Sequence, residues 1–349
     1  MAFTLPPRAE EALFRAAMAL PTRVQRRLVG RPVVLDGQVL DTETQLLLRL
    51  QELANEPGAE TLPFAQARAA LVHHARLAGG KQPIGETRDL EVPGAAGPVP
   101  ARLYVPRSGV TGPLLMFIHG GGMMYGDLES HDAVCRFLAE RADVRVLAID
   151  YRLAPEHPFP AAVEDCWAAY QWLAEHAEEL GGDPDRLAVG GDSAGGYLSA
   201  TTALQAAAAG VPMRFQLLVY PVADMTGGSE SRRMFGQGFY LTSEFIDLAD
   251  RSYVPADVDK RDPLVSVLFT EKVPDGLAPA FVVTAGFDPL RDEGEAYARL
   301  LVENGAEVQL KRYPGFIHGF LNMVGVGRSA RAAVAEIAVR LGAALRAGT

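Results

Sequence analysis

The sequence has very few cysteines: Cys135 and Cys166 are the only two among its 349 residues. Two cysteines cannot build a disulfide framework, and both lie in apolar, helix-like surroundings, so we expect buried free thiols in a reducing compartment. Long apolar runs are also missing, because no stretch approaches the roughly 18 apolar residues that a membrane-spanning helix needs. Charged residues precede the first apolar run, which is unlike a secretory signal. We therefore predict a cytoplasmic protein without stable membrane association.

Basic residues are in the minority, which gives the chain a formal net charge of −10. Such a chain is a poor partner for nucleic acid, whose phosphates require a basic surface. The sequence contains neither an internal repeat nor a low-complexity tract. Its 48% hydrophobic and 22% charged residues are typical of a globular protein with a large core. The length allows one large domain or two moderate ones.

Helical patterns fill the first 80 or so residues, and the pattern changes at Glu86. The predicted early helices are Ala9–Ala19, one that Asp41 caps and that ends near Pro57-Gly58, and Pro63–Leu77. Predicted strands follow at Thr87–Val92, Ala101–Val105, Leu114–Ile118, Val144–Ile149, Leu187–Val189, Phe215–Val219, Ala280–Ala285 and Glu307–Tyr313. Helices are predicted between and after them, at Ala161–Leu180, Tyr197–Ala209 and Ser329–Arg346. This alternation indicates an α/β fold with a mostly parallel central sheet flanked by helices.

The alternation of strands and helices stops between Pro221 and Pro279. This interval has only short helical patterns, around Thr242–Tyr253, and an insertion of that length in a compact domain is usually functional. We therefore divide the chain into an N-terminal segment (residues 1–85), a catalytic domain (86–220 and 276–349) and an insertion (221–275). The N-terminal segment and the insertion are predicted to form a helical cap over the mouth of the site.

Ser193 lies in the pattern G-x-S-x-G, which reads Gly191-Asp192-Ser193-Ala194-Gly195. Alone this pattern is a weak indication, but here an apolar strand precedes it and an alanine-rich helix follows it. In that context the serine occupies a tight turn at the carboxyl end of a strand. Glycines are needed on both sides because a Cβ there would collide with the neighbouring strand or helix. We predict that Ser193 is a nucleophile.

A glycine run, His119-Gly120-Gly121-Gly122, follows the buried strand Leu114–Ile118. Alone it could be a flexible turn. Beside a nucleophilic serine, its backbone N–H groups are suited to stabilise the oxyanion of a tetrahedral acyl intermediate.

The nucleophile needs a base, and the base needs an orienting carboxylate. Where the serine lies on a strand–turn–helix of a mostly parallel sheet, the acid and then the histidine are expected on loops after later strands. Of the seven histidines only His318 lies after Ser193. Two aspartates begin the same tripeptide, Asp262-Pro-Leu and Asp288-Pro-Leu. Asp288 directly follows a predicted strand and one turn, whereas no strand leads to Asp262, so we predict that Asp288 is the acid.

Adjacent histidines on a helix point about 100° apart, so His73 and His74 cannot chelate one metal ion.

Together the motifs at 119–122, 150–156, 191–196, 288–294 and 318–320 resemble the bacterial hormone-sensitive-lipase-like esterases, and more narrowly the GDSAG-type subgroup. This resemblance covers the chain from about Glu86 onwards. It implies an α/β-hydrolase fold with a helical cap, and hydrolysis of short- to medium-chain carboxylic esters without a metal or a cofactor. By motif position it implies a serine carboxylesterase with Ser193 as nucleophile, His318 as base and Asp288 as its partner. The oxyanion N–H groups would come from Gly121, Gly122 and Ala194.

Two positions depart from the family pattern. Met123, followed by Met124, stands where an aromatic residue is common, and Tyr197 stands where Asn is frequent. We expect these residues, together with Phe239 and Tyr240 of the insertion, to bind the substrate and to influence substrate preference. His119 and the stretch 150–155 are predicted to be structural, Asp292 and Glu293 to orient the acid or cap the next helix, and the role of Asp192 is open.

Three other functions fit the sequence less well than ester hydrolysis. A hydrolase-fold binding module would have lost a triad position, and here all three are filled. A peptidase or amidase of this fold usually carries a β-propeller, and no blade-like repeat is present. A lipid-droplet lipase would need an exposed apolar lid, and no strongly amphipathic basic helix is present for membrane attachment. We therefore predict an esterase acting on a small-molecule ester; the sequence is also compatible with a homodimer.

Overall fold

The computed structural model describes residues 7–346 of the chain. A short hairpin comes first, formed by β1 (Val34–Leu35) and β2 (Gln38–Val39). The remaining strands are β3 (Glu86–Gly94), β4 (Gly97–Val105), β5 (Gly112–Ile118), β6 (Arg145–Ile149), β7 (Gly182–Asp192), β8 (Phe215–Val219), β9 (Ala280–Phe287) and β10 (Val308–Ile317). These eight form one sheet in the order β10-β9-β8-β7-β5-β6-β4-β3. All its pairings from β6 to β10 are parallel, and β4 runs antiparallel to both β3 and β6.

The helices are α1 (Pro7–Ala19), α2 (Thr22–Val29), α3 (Thr42–Ala54), α4 (Phe64–Gly79), α5 (Asp132–Ala142), α6 (Ala161–His176), α7 (Ala194–Ala209), α8 (Glu230–Phe235), α9 (Ser243–Tyr253), α10 (Arg291–Glu303) and α11 (Ser329–Arg346). Short 3₁₀ turns lie at Ala59–Thr61, Ala177–Leu180, Val267–Phe269 and Phe320–Asn322. No helix among residues 7–346 is long and apolar enough to cross a membrane.

Both faces of the sheet are covered, as the continuous apolar strand at 114–118 predicts. All seven residues of β5 are buried. Leu114, Met116 and Ile118 pack in one core cluster with α6, α7 and α10, and Leu115 and Phe117 pack in a second with α5 and α11. This division follows from the two-residue period of a strand, whose successive side chains point to opposite faces. The predicted α/β fold with a mostly parallel sheet is therefore confirmed.

Several element boundaries differ from the sequence prediction. The last strand, predicted to end at Tyr313, continues through Pro314 to Ile317, and a register shift between Tyr313 and Ile317 accommodates the proline, which cannot donate to the ladder. Helix α6 ends at His176, and a 3₁₀ turn follows it. Asp41 caps α3 as predicted, but that helix already ends at Ala54 because Asn55 adopts the left-handed conformation. Helix α2 and the β1–β2 hairpin were not predicted.

The N-terminal segment and the insertion pack on the catalytic domain through two apolar clusters. In one, Ala67 of α4 and Ala249 of α9 meet Met124 and Tyr125. In the other, Met18 and Leu47 are in the same cluster as Phe235 of α8 and Phe287 at the end of β9. Helices of the N-terminal segment and of the insertion, although distant in sequence, therefore pack together over the carboxyl ends of the strands.

The two cysteines lie in the core. Cys135 and Cys166 are buried free thiols, as predicted, and burial raises the pKa of both. Because the thiolate is the reactive form of cysteine, the raised pKa makes both thiols poor nucleophiles.

Candidate active site

Ser193 occupies the turn between β7 and α7. Its backbone has φ of 56° and ψ of −120°, a strained conformation for a residue with a side chain. The Ser193 N–H donates to the carbonyl of Val219 on β8, at 2.9 Å, and this bond helps to hold the turn. The serine hydroxyl is thereby presented at the carboxyl edge of the sheet.

The glycines flanking this turn are explained by its packing on β5. A Cβ at Gly191 or at Gly195 would collide with the carbonyl oxygen of Ile118, the last residue of β5. The turn can therefore lie this close to the neighbouring strand only if both positions lack a side chain. This is the steric reason that the sequence predicts for the G-x-S-x-G pattern.

Ser193, His318 and Asp288 form one hydrogen-bonded chain. The Ser193 Oγ lies 2.9 Å from His318 Nε2, and His318 Nδ1 lies 2.8 Å from Asp288 Oδ2. The three residues are 9%, 6% and 0% exposed, respectively. When the Nδ1–H donates to the Asp288 carboxylate, Nε2 is left to accept the serine proton. The arrangement can therefore remove a proton from the serine hydroxyl.

The positions of His318 and Asp288 follow from the sheet topology. Asp288 comes directly after β9, and His318 directly after the neighbouring β10. The Asp288 Oδ1 accepts a hydrogen bond from the Leu290 N–H at 2.8 Å, which orients the other carboxylate oxygen towards His318. The Tyr220 ring packs on the His318 ring with their centroids 4.5 Å apart. Asp262, which begins the same tripeptide but has no strand before it, is exposed, as expected.

The glycine loop lies beside Ser193, after β5. Gly121 and Gly122 have φ of 121° and 65°, which favour glycine. Within the described residues neither of their N–H groups donates a hydrogen bond, so both are free to meet a ligand. Ala194 is the first residue of α7, where backbone N–H groups lack partners inside the helix. The three predicted oxyanion donors are thus backbone N–H groups that can donate hydrogen bonds to an oxygen on which negative charge develops.

The Asp192 carboxylate holds the glycine loop by a hydrogen bond, and the His131 ring lies beside this carboxylate. The Asp192 Oδ1 accepts from the Gly120 N–H at 3.0 Å and lies 3.2 Å from His131 Nε2. Burial disfavours the Asp192 carboxylate, but His131, His318 and the Gly120 N–H outweigh burial and hold its pKa below its ordinary value. Sequence reasoning left Asp192 open and missed His131, since no local pattern distinguishes a histidine before a helix. His119 stacks on Tyr151, with ring centroids 4.3 Å apart.

The five residues expected to influence substrate preference lie in different places. Met123, Met124 and Tyr197 are fully buried behind the wall of the site. The hydroxyl of Tyr197 donates to the carbonyl of Leu264 in the insertion. Phe239 packs its ring on Phe287, next to Asp288, with centroids 5.3 Å apart. Tyr240 is 45% exposed and lines a cavity. The three buried residues have almost no exposed surface, and their part in substrate binding stays a prediction.

The cavity has a volume of about 500 Å³ and a mostly apolar wall. Helices α1, α3 and α4 supply much of that wall, including Phe14, Leu50 and Leu71. Its other boundary includes Tyr240 and Gly319, the residue that follows His318. A cavity of this size and lining is suited to an apolar group of a small molecule. Within residues 7–346, no cluster of three or more histidine, cysteine, aspartate or glutamate side chains could hold a metal ion.

Comparison with known proteins identifies the family. The profile of the α/β-hydrolase-fold family matches residues 115–322. The carboxylic ester hydrolase LipN of Mycobacterium tuberculosis (strain ATCC 25618 / H37Rv) is 45% identical over 327 residues, 91% of this chain and 87% of LipN. An arylesterase of Saccharolobus solfataricus is 36% identical, over 88% of this chain and 98% of the arylesterase.

Solved structures agree with these relatives. An ester hydrolase from the metagenome of Lake Arreo, complexed with a derivative of bipyridine phosphonate, superimposes with a TM-score of 0.83 and 41% identity. The match covers 87% of this chain and 98% of that one. A hyperthermophilic esterase of Pyrobaculum calidifontis superimposes with a TM-score of 0.82 at 37% identity, covering 87% of this chain and 98% of the other. The resemblance predicted from the motifs is confirmed: the chain belongs to the α/β-hydrolase-fold family and is a carboxylic ester hydrolase.

Proposed function

We propose that this ester hydrolase works through an acyl-enzyme on Ser193, with His318 as general base and Asp288 as its orienting partner. The observation that carries the proposal is the continuous hydrogen-bonded chain from the Ser193 Oγ through His318 to Asp288. A nucleophile, a base and a buried carboxylate in this order are the arrangement that acyl transfer requires.

In the first half of the reaction, the Ser193 Oγ attacks the carbonyl carbon of the ester. His318 accepts the hydroxyl proton at Nε2, and the Asp288 carboxylate stabilises the imidazolium that forms. The carbonyl oxygen becomes an oxyanion, which accepts hydrogen bonds from the N–H groups of Gly121, Gly122 and Ala194. Collapse of the tetrahedral intermediate breaks the C–O bond, and His318 donates its proton to the departing alcohol.

In the second half, water takes the place of the alcohol. His318 Nε2 removes a proton from water as it attacks the acyl carbon, and the same N–H groups hold the second oxyanion. When this intermediate collapses, the carboxylic acid leaves and Ser193 regains its proton from His318. No metal or cofactor takes part in the proposed steps.

The proposed substrates are carboxylic esters with short to medium acyl chains. The N-terminal segment and the insertion would act as a cap, since α1, α3 and α4 form the wall of the cavity and Tyr240 lies beside Gly319. A Cβ on Gly122 would lie 3.1 Å from both Phe245 and Ala249 of α9, so the insertion also covers the glycine loop. One relative is an arylesterase, so aryl esters belong among the candidate substrates.

The proposal is tested with p-nitrophenyl esters from acetate to palmitate, comparing the wild type with Ser193→Ala. The variant should lose about 10⁴- to 10⁶-fold in kcat, as expected when the nucleophile of a triad is removed. Ser108→Ala, at an exposed serine in the loop before β5, is the matched control and should keep wild-type activity. A fluorophosphonate probe should label Ser193 and no other serine. Ordinary turnover by Ser193→Ala would refute the acyl-enzyme mechanism.

A further inference from the structure

The residues that surround Asp288 in sequence reach out to two distant parts of the chain. Phe287 precedes Asp288, and Arg291, Asp292 and Glu293 open α10 directly after the Asp-Pro-Leu tripeptide. We call residues 287–293 the acid turn. Each of these four side chains contacts the N-terminal segment, the insertion or both, as set out below.

Arg291 ties the acid turn to the N-terminal segment. Its Nη1 lies 2.7 Å from the Asp36 carboxylate, in the tight turn between β1 and β2. Arg291 is buried, whereas Asp36 is 40% exposed. A buried guanidinium needs partners of opposite charge. Asp292 of the acid turn supplies one, 2.8 Å from Nε, and Asp36 of the hairpin supplies the other. Gln38 of the hairpin also donates to the Gly286 carbonyl at 3.2 Å.

Asp292 and Glu293 tie the acid turn to α8 of the insertion. The Ser231 N–H donates to the Asp292 carboxylate at 2.8 Å, and the Ser231 hydroxyl donates to the Pro289 carbonyl at 2.7 Å. The Asp292 N–H in turn donates to that hydroxyl at 3.1 Å. Glu293 is buried and pairs with Arg232, whose Nε lies 2.8 Å from its carboxylate. With a second bond from Arg232 Nη2 to Glu293, at 3.3 Å, five hydrogen bonds connect one turn of α8 to the acid turn.

Apolar contacts join the same three parts. The ring of Phe287 packs against Phe235 and Phe239 of the insertion, with centroids 5.6 and 5.3 Å apart. The guanidinium of Arg291 lies over the Phe235 ring, 5.1 Å from its centroid. The hairpin, α8 and the acid turn therefore form one packed unit on the end of β9.

We propose that Asp36 and Ser231 are positioning residues, which hold the Asp288 carboxylate in register with His318 by tying the acid turn to the N-terminal segment and the insertion. The inference rests on the proposed role of Asp288. If either segment moves away, Arg291 loses one of its two carboxylate partners or Glu293 loses Arg232, and the turn that carries Asp288 is then free to shift. The proposed cap would thus complete the triad as well as cover it.

The test uses two variants that leave the triad and the oxyanion N–H groups intact. Asp36→Asn removes the charge opposite Arg291, and asparagine suits this position because Asp36 has φ of 52°. Ser231→Ala removes the hydroxyl between Pro289 and Asp292. Asp89→Asn is the matched control, since Asp89 also pairs with an arginine, Arg102, but lies on the edge strand β3.

Two properties are measured for each variant: kcat and KM on p-nitrophenyl butyrate, and the downfield proton NMR resonance of the His318 Nδ1–H hydrogen-bonded to Asp288. We expect each variant to lose about tenfold in kcat with KM within about twofold, and the resonance to shift or broaden, since small displacements of reacting groups are costly. The double variant should lose more than either single one. Asp89→Asn should match the wild type in both measurements.

The proposal is overturned if the double variant keeps the wild-type resonance and a kcat within about twofold of the wild type. A lost resonance with unchanged kcat has a different meaning. It would support the positioning of Asp288 by the two segments but contradict the catalytic role proposed for Asp288. A global loss of packing is detected separately, because it would alter the NMR spectrum far from His318.

Discussion

Asp262 and Asp288 begin the same tripeptide and form the same local turn, but only Asp288 contacts His318. In each case the Oδ1 accepts a hydrogen bond from the N–H two residues later, Leu264 or Leu290, at 2.8 Å. Asp262 is exposed in the insertion, whereas Asp288 is fully buried at the end of β9. The tripeptide therefore determines the turn, and the strand before it determines what the carboxylate can reach.

We expect Asp288→Asn to lower kcat by about 10⁴-fold, because the amide favours the wrong tautomer of His318 and cannot stabilise the imidazolium. Asp262→Asn is the matched control, since it makes the same change in the same turn and should leave activity almost unchanged. Steady-state kinetics on p-nitrophenyl butyrate checks both. A severe loss in Asp262→Asn with an active Asp288→Asn would reassign the acid.

We expect the cavity wall to set the acyl-chain preference. Ala75 of α4 lines the cavity, so Ala75→Phe places a ring inside it. This variant should lose about tenfold in kcat/KM on p-nitrophenyl octanoate and keep its activity on the acetate. A change in the size of an apolar pocket typically discriminates between substrates by a factor of this order. Ala69→Phe, at an exposed position of the same helix, should change neither. If octanoate and acetate hydrolysis fall equally, the cavity does not hold the acyl chain.

We expect Glu43 to make the N-terminal segment sensitive to acid. Burial disfavours its carboxylate, but hydrogen bonds from the backbone of Ser329 and Arg328 outweigh burial and hold its pKa below the ordinary value. Because the pKa is lower in the folded chain, the stabilisation is complete above the ordinary carboxyl range, near pH 4–5, and is lost as the pH falls through the folded value.

Thermal unfolding of Glu43→Gln and the wild type from pH 7 to pH 3 tests this prediction. The difference in Tm should be largest at neutral pH and should shrink as the solution becomes acidic, because a protonated glutamate and a glutamine are both uncharged and similar in shape. A difference that stays constant over this range would show that Glu43 does not stabilise the protein through its charge.

The features that the sequence predicted are those with a local cause. Gly191 and Gly195 flank a turn in which neither position tolerates a Cβ, so their spacing in the sequence predicts the turn directly. The continuous apolar strand at 114–118 predicts a sheet that is covered on both faces. Asp288 and His318 could be placed because the carboxyl ends of neighbouring parallel strands meet at one edge of the sheet.

Features with a distant cause could not be predicted in this way. The pairing of Asp36 with Arg291 joins positions separated by 255 residues, and nothing near either residue indicates the other. Buried groups such as His131 and Asp192 are ordinary polar residues in the sequence and become a pair only where β7 meets the glycine loop. Met123 and Tyr197 follow motif residues directly, yet both are buried and neither lines the cavity.

The sequence by itself thus determined the α/β fold, the nucleophile turn and the candidates for acid and base, because strand periodicity and steric exclusion act over a few residues. Only the tertiary structure decided which side chains line the cavity and which distant residues contact the turn that follows Asp288. These outcomes depend on burial, and burial is a property of the whole packed chain: the buried guanidinium of Arg291 pairs with its neighbour Asp292, but its second partner, Asp36, comes from a distant segment.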